Sequence, residues 1–107
     1  METENIQLAS KLANEMCEFL NVKRKEFFNN DNYVTDVFDF QIGKKYIKIG
    51  FRHSNSVKLF SAEGFIEPYS MTFYTAGGWS KPNKNYPLKL NSDNVEIIAK
   101  RMYPYIF

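Results

Sequence analysis

Over the N-terminal stretch of the chain apolar side chains return at every third or fourth position. Ala9, Leu12, Ala13, Met16 and Leu20 form a stripe that Ile6, Cys17 and Phe19 widen, with Lys11, Asn14, Glu15 and Glu18 opposite. This spacing predicts an amphipathic helix over 4–20, with Thr3 as its cap and Glu4 favourably placed in the opening turn. Residues 22–28 either lengthen that helix or form a second short one, and Asn29-Asn30-Asp31-Asn32 then breaks it. The basic triplet Lys23-Arg24-Lys25 suits a helix C-terminal end.

From Tyr33 the period falls to two. Val34, Phe38, Phe40 and Ile42 share one face, interrupted by Asp36, and Gly43-Lys44 turns the chain. Residues 45–52 answer with Ile47, Ile49 and Phe51 inward and Tyr46, Lys48, Gly50 and Arg52 outward. After the turn at His53-Ser54-Asn55, residues 56–61 alternate as a third strand, with Lys58 and Phe60 on one side and Val57 and Leu59 on the other. Glu63-Gly64 predicts a further turn. Phe65, Ile66 and residues 70–74 then predict a fourth strand broken at Pro68, as an edge or bulge allows. Leu88-Lys89-Leu90 adds a short last strand. Asn91, Ser92 or Asp93 caps a closing helix whose stripe is Val95, Ile98, Ala99 and Met102, with Asp93 and Glu96 in capping-box spacing and Pro104 as its stop. The short connections imply an antiparallel meander. The fold class is α+β: an N-terminal helix, a four- to five-stranded antiparallel sheet and a C-terminal helix, in a single domain over 1–107.

Composition sharpens this picture. In 107 residues there are ten Phe, seven Tyr and one Trp, more aromatic rings than so small a core can bury, so some are expected at a contact surface. Net charge is +2 but unevenly spread: residues 1–42 carry four Lys/Arg against eight Asp/Glu, and residues 43–107 carry ten against four. The second part therefore suits an anionic partner. Cys17 is the sole cysteine and falls in the helical stripe, so it reads as a small buried hydrophobe in a reducing compartment. No apolar run reaches membrane-spanning length, which predicts a cytoplasmic protein without membrane contact.

Catalytic chemistry finds little footing. His53 is the sole histidine and stands in a turn, so no zinc set can be assembled. Asp36 and Asp39 are three apart in a strand and face opposite ways. Gly77-Gly78 lacks the spacing and following helix of a phosphate loop. No cofactor, metal or active site is expected, and the chain reads as non-enzymatic.

Binding remains. Tyr46, Lys48 and Arg52 alternate along the outward side of the second strand, and Lys58 and Phe60 join them if the third strand pairs in register. Trp79, Lys81, Lys84, Tyr86 and Lys89 would lie near the rim. Trp79, in the stretch Thr75-Ala76-Gly77-Gly78-Trp79-Ser80-Lys81-Pro82-Asn83-Lys84, is either a lid on the core or a flat apolar surface offered to a partner. Which sheet face the helices cover decides whether the other residues are a site at all.

The series Lys45-Tyr46-x-Lys48-Ile49, Ser56-Val57-x-x-Phe60, Gly64-x-Ile66 and Trp79-x-x-Pro82 resembles a group of small uncharacterised proteins of tailed bacteriophages. In these a Ser-Val strand, a Gly turn and a Trp-Lys-x-Pro loop recur. The resemblance covers about residues 45–91 and departs at the loop, where Ser80 follows Trp79 and lysine comes one place later. It implies a phage or prophage origin and a small accessory protein in the host cell cytoplasm. Together these features predict a binding protein, monomer or homodimer, that occupies the surface of a host or phage protein; the alternative is a single-stranded nucleic-acid-binding protein using the same face and the Trp79 loop.

Overall fold

The computed structural model of the chain describes residues 2–28, 35–78 and 81–107. Helix α1 spans Glu2–Phe28, so residues 22–28 lengthen the first helix instead of forming a second. The predicted stripe of Ala9, Leu12, Ala13, Met16, Cys17 and Leu20 is buried throughout. The extension is held from below. Asn21 Nδ2 donates to the Phe38 carbonyl at 3.1 Å while its Oδ1 accepts from the Phe38 N–H at 2.8 Å, and Arg24 Nη1 donates to the Asp36 carbonyl at 2.6 Å. The Thr3 side chain, the Asn29–Asn32 break and the start of the first strand at Tyr33 and Val34 lie outside the described residues.

Five strands follow: β1 (Asp36–Ile42), β2 (Ile47–His53), β3 (Gly64–Glu67), β4 (Thr72–Ala76) and β5 (Pro82–Lys89). They form one antiparallel meander in the order β1-β2-β3-β4-β5. Helix α2 (Val95–Met102) and a short 3-10 helix (Pro104–Ile106) close the chain. The α+β fold class is as the sequence predicts, with the sheet at its full five strands.

Both helices pack on one face of the sheet, α1 against β1 and β2, and α2 against α1 and β4. That face supplies Phe38, Ile47, Ile49, Ile66 and Phe73 to a core shared with the α1 stripe and with Val95, Ile98, Ala99 and Met102 of α2. Alternation along paired strands forces the intervening residues to the opposite, helix-free side. Ile106 is buried against this core, and Phe107 stacks on Phe19 with centroids 5.7 Å apart, so the C-terminal residues dock.

Five local readings are corrected. Residues 56–61 are not a strand: Leu59 makes one isolated bridge to Arg52, and Val57 is 90% exposed. The segment instead folds across β2, where the Ser61 Oγ accepts from the Phe51 N–H at 3.0 Å and the Glu63 N–H donates to Ile49 O at 2.8 Å. Gly50 permits the crossing, because a Cβ there would overlap the Ser61 carbonyl. Gly64 opens β3 and is not a turn residue.

Residues 65–74 are two strands joined by a turn at 68–71, closed by Met71 N–H to Pro68 O at 3.3 Å, with Met71 at φ 52°. The last strand runs over Pro82–Lys89 and not 88–90. Finally, the residue before α2 is Asn94, with no side-chain cap; Asn91 Oδ1 accepts from the Asp93 and Asn94 N–H groups at 3.0 Å and shapes the turn instead.

Candidate interaction face on the helix-free side of the sheet

Strand register lays a row of side chains across the helix-free face. Gln41 pairs with Lys48, Lys48 with Phe65, and Phe65 with Tyr74. Phe65 is only 2% exposed although it lies outside the helix-side core, so this face carries a small apolar floor of its own. Tyr46 closes over that floor, its ring edge-on to Phe65 at 5.8 Å.

Cations gather around the two tyrosines. Lys84 Nζ stands 5.9 Å from the centroids of both Tyr46 and Tyr74, and Lys45 Nζ stands 5.4 Å from Tyr46. An ammonium held over an aromatic face is attracted by the ring quadrupole. Lys84 has its pKa raised, first by hydrogen bonding to the Tyr46 side chain and then by the Tyr46 charge. Its ammonium therefore stays charged at any physiological pH. A shallow recess of about 250 Å3, lined by Gln41, Ile42, Gly43, Tyr46, Lys48 and Phe65, opens beside this cluster.

Of the sequence-predicted residues, Tyr46, Lys48 and Lys84 are brought together here. Arg52 shares the face but is committed to the fold. Its Nε donates to Asp39 Oδ2 at 2.7 Å, and its Nη1 donates to the carbonyls of His53, Ser54 and Ser56 at 3.2, 3.4 and 3.0 Å. Lys58 is exposed in the 54–58 turn beyond the end of β2, away from the cluster. Phe60 is on the other side: it stacks on His53 at 4.5 Å and Phe51 at 6.3 Å, which alternate opposite Arg52. Residues 56–61 never pair as a continuous strand, so the expected alternation of Lys58 and Phe60 does not hold.

On β5, Lys89 lies at the far end, its Nζ donating to Ser70 O at 3.3 Å. Lys81 closes the β4–β5 hairpin through its carbonyl, which accepts from the Gly77 N–H at 2.8 Å. Tyr86 turns to the helix side, where the Arg101 guanidinium of α2 stands 5.8 Å from its ring. Trp79 lies outside the described residues. Tyr86 departs because Lys84, Asn85, Tyr86 and Pro87 all oppose the single residue Tyr74, a long bulge between the Phe73–Leu88 and Thr75–Asn83 pairs. Sequence reasoning missed Lys45, Phe65 and Tyr74. The period-two pattern around Phe65 was visible, but its reading as one broken strand hid the pairing with Lys48.

Both sheet edges are blunted. On the β1 edge Arg24 takes the Asp36 carbonyl, Asn21 takes the N–H and carbonyl of Phe38, and Asp39 Oδ1 accepts from Phe40 N–H at 2.8 Å. On the β5 edge stand the bulge, Pro82 and Pro87, and Asn85 N–H turns to Asn83 Oδ1 at 3.1 Å.

Among the described residues no group of three or more His, Cys, Asp and Glu is placed to hold a metal ion, and no helix is long and apolar enough to cross a membrane. His53 Nδ1 lies 2.9 Å from Asp36 Oδ1 at the open end of the β1–β2 pair. Cys17 is buried in α1, and burial, with smaller contributions from Asp39 and Glu18, pushes its thiol up to about 12. It is a packing residue. No family model, curated protein or solved structure matches the chain.

Proposed function

We propose that this chain is a small non-enzymatic binding protein that occupies an acidic surface of another protein with the helix-free face of its sheet. The observation that carries the reading is the Lys45–Tyr46–Lys84–Tyr74 cluster: two ammonium groups held over two tyrosines on the side away from both helices. A fixed array of this kind contributes orientation and encounter rate through complementary charge, and its rings contribute contact area at low entropic cost. The resemblance of residues 45–91 to small phage proteins supports the setting, a phage or prophage accessory protein acting on a host or phage protein in the host cytoplasm.

Single-stranded nucleic acid is the second reading, favoured by Lys81, Lys84 and Lys89 following one another along β5 and its approach. It is the weaker of the two. Stacking a base requires an open ring face, whereas Tyr46 and Tyr74 already face lysine ammonium groups and Phe65 is buried.

Capture from host extract by the immobilised chain separates the readings. At low ionic strength the chain is expected to retain a protein that survives nuclease treatment and is released by salt. The Lys45→Glu/Lys84→Glu variant should lose it, and the helix-side variant Lys100→Glu/Arg101→Glu should keep it. Retention abolished by nuclease would favour nucleic acid. Equal capture by both variants would overturn the face.

A further inference from the structure

The β1–β2 hairpin tip divides two hollows that share Ile42 and Gly43 as a common wall. One is the recess beside Tyr46 described above. The other is a groove of about 350 Å3 at the end of the sheet, reached around the tip and bordered also by Ile6 of α1 and by Pro68 and Tyr69 of the β3–β4 turn. Its apolar members are poorly covered: Ile42 is 58% exposed and Tyr69 is 76% exposed. Isolated exposed apolar residues are ordinary, but here they converge on one groove.

The walls of the groove are fixed. Asn5 Nδ2 donates to the Tyr69 carbonyl at 3.2 Å, joining α1 to the turn, and Gly43 N–H donates to Tyr46 O at 2.9 Å, closing the hairpin. The groove's rim is cationic on the hairpin side, where Lys44 and Lys45 are exposed. Lys45 lines this groove, and its ammonium also stands over Tyr46, which lines the neighbouring recess. The acid of the rim, Glu67, is engaged by the Ser70 hydroxyl, which donates to its Oε1 at 2.7 Å.

We propose that the segment recognised by this protein is an acidic peptide stretch carrying one large apolar side chain. The apolar side chain seats in the groove between Ile6, Ile42 and Tyr69, and the flanking carboxylates meet Lys44, Lys45 and Lys84. The inference rests on the binding reading of the helix-free face and extends it around the hairpin tip, with Lys45 as the shared contact. Charge complementarity selects an acidic partner over a basic one, and the apolar floor selects an anchored peptide over a diffuse anionic surface.

Three terminally blocked peptides test this by amide chemical-shift titration of the full chain: Asp-Glu-Leu-Glu-Asp, Asp-Glu-Ala-Glu-Asp and Ser-Gln-Leu-Gln-Ser. The leucine acidic peptide is expected to bind at least about tenfold more tightly than either of the others, the scale set by burying one such side chain. Its shifts should map to Gly43, Lys44 and Tyr69, and Ile42→Ser should remove the leucine preference while leaving salt-sensitive binding in place. Ile42 is largely exposed, so this variant should fold; Tyr69→Ser gives an independent check from the opposite wall. Equal binding of the two acidic peptides, abolished by Lys84→Glu, overturns the groove and leaves the sheet face standing. A leucine preference that survives both Ile42→Ser and Tyr69→Ser also overturns it. Absence of binding by any of the peptides at millimolar concentration overturns the inference, and the sheet face is then judged by the extract capture alone.

Discussion

Replacing Arg52 by Ala separates a structural cation from a binding one. Arg52 holds Asp39 at 2.7 Å and reaches three carbonyls of the 53–56 turn, the shortest to Ser56 at 3.0 Å. A charge-assisted hydrogen bond contributes about 1.5–3 kcal/mol when well enclosed. The Arg52 and Asp39 side chains are 26% and 38% exposed, so solvent screens the pair and its share falls toward the ~1 kcal/mol upper range of exposed ion pairs. Adding about 1 kcal/mol for the Ser56 contact gives about 2 kcal/mol for Arg52→Ala. For a domain of this size that corresponds to a drop in Tm of roughly 10 °C. Urea denaturation of the wild type, Arg52→Ala, Asp39→Ala and the double variant should give strong coupling between the two residues. Arg52→Lys should recover less than half, because an ammonium cannot span the carboxylate and the turn carbonyls with a rigid fork. An Arg52→Ala variant within about 0.5 kcal/mol of wild type, without coupling to Asp39, would refute this and return Arg52 to the surface as a free cation.

Further outcomes follow from the same structure. Gly50→Ala should cost about 3 kcal/mol or more, because the added methyl meets the backbone of Ser61 and not a yielding side chain; chemical denaturation measures it. Glu63 has its carboxyl pKa raised chiefly by burial, with the Ser61 hydrogen bond opposing. Its protonated form is therefore favoured by folding, and stability is lost as pH rises through its folded pKa. Glu63→Gln should accordingly melt higher than wild type at pH 7, with the advantage gone near pH 3, well below the ordinary glutamate pKa of about 4.3, where the carboxyl is protonated in both states. The Cys17 thiol, pushed up to about 12, should resist alkylation at pH 8 in the folded chain and react promptly in denaturant.

The sequence was most legible where one periodicity ran unbroken. Leu12, Met16 and Leu20 announced the buried face of α1, and Ile47, Ile49 and Phe51 marked one face of β2 as inward, whereas which face the helices cover came only from the packing of α1 and α2. Legibility failed where tertiary contacts replaced strand pairing. Residues 56–61 alternate as a strand does, but Gly50 and the Arg52 clasp draw them across β2, which carries Phe60 to the helix side. The β3–β4 turn was hidden because its left-handed position is occupied by Met71, where glycine or asparagine would have marked it. Tyr86 was misplaced because alternation cannot be counted through a four-against-one bulge. The candidate site was thus half readable: Tyr46 and Lys48 followed from β2 alone, whereas Lys84, Phe65 and Tyr74 meet them only through register.

Lysine acylation footprinting tests the central claim most directly. The free chain and the chain bound to its captured partner are treated briefly with an amine-reactive reagent and compared site by site. Lys45 and Lys84 should lose reactivity on binding, while Lys25 and Lys100 on the helices keep theirs. Protection of Lys25 and Lys100 with Lys45 and Lys84 still reactive would contradict the assignment and move the interface to the helix side.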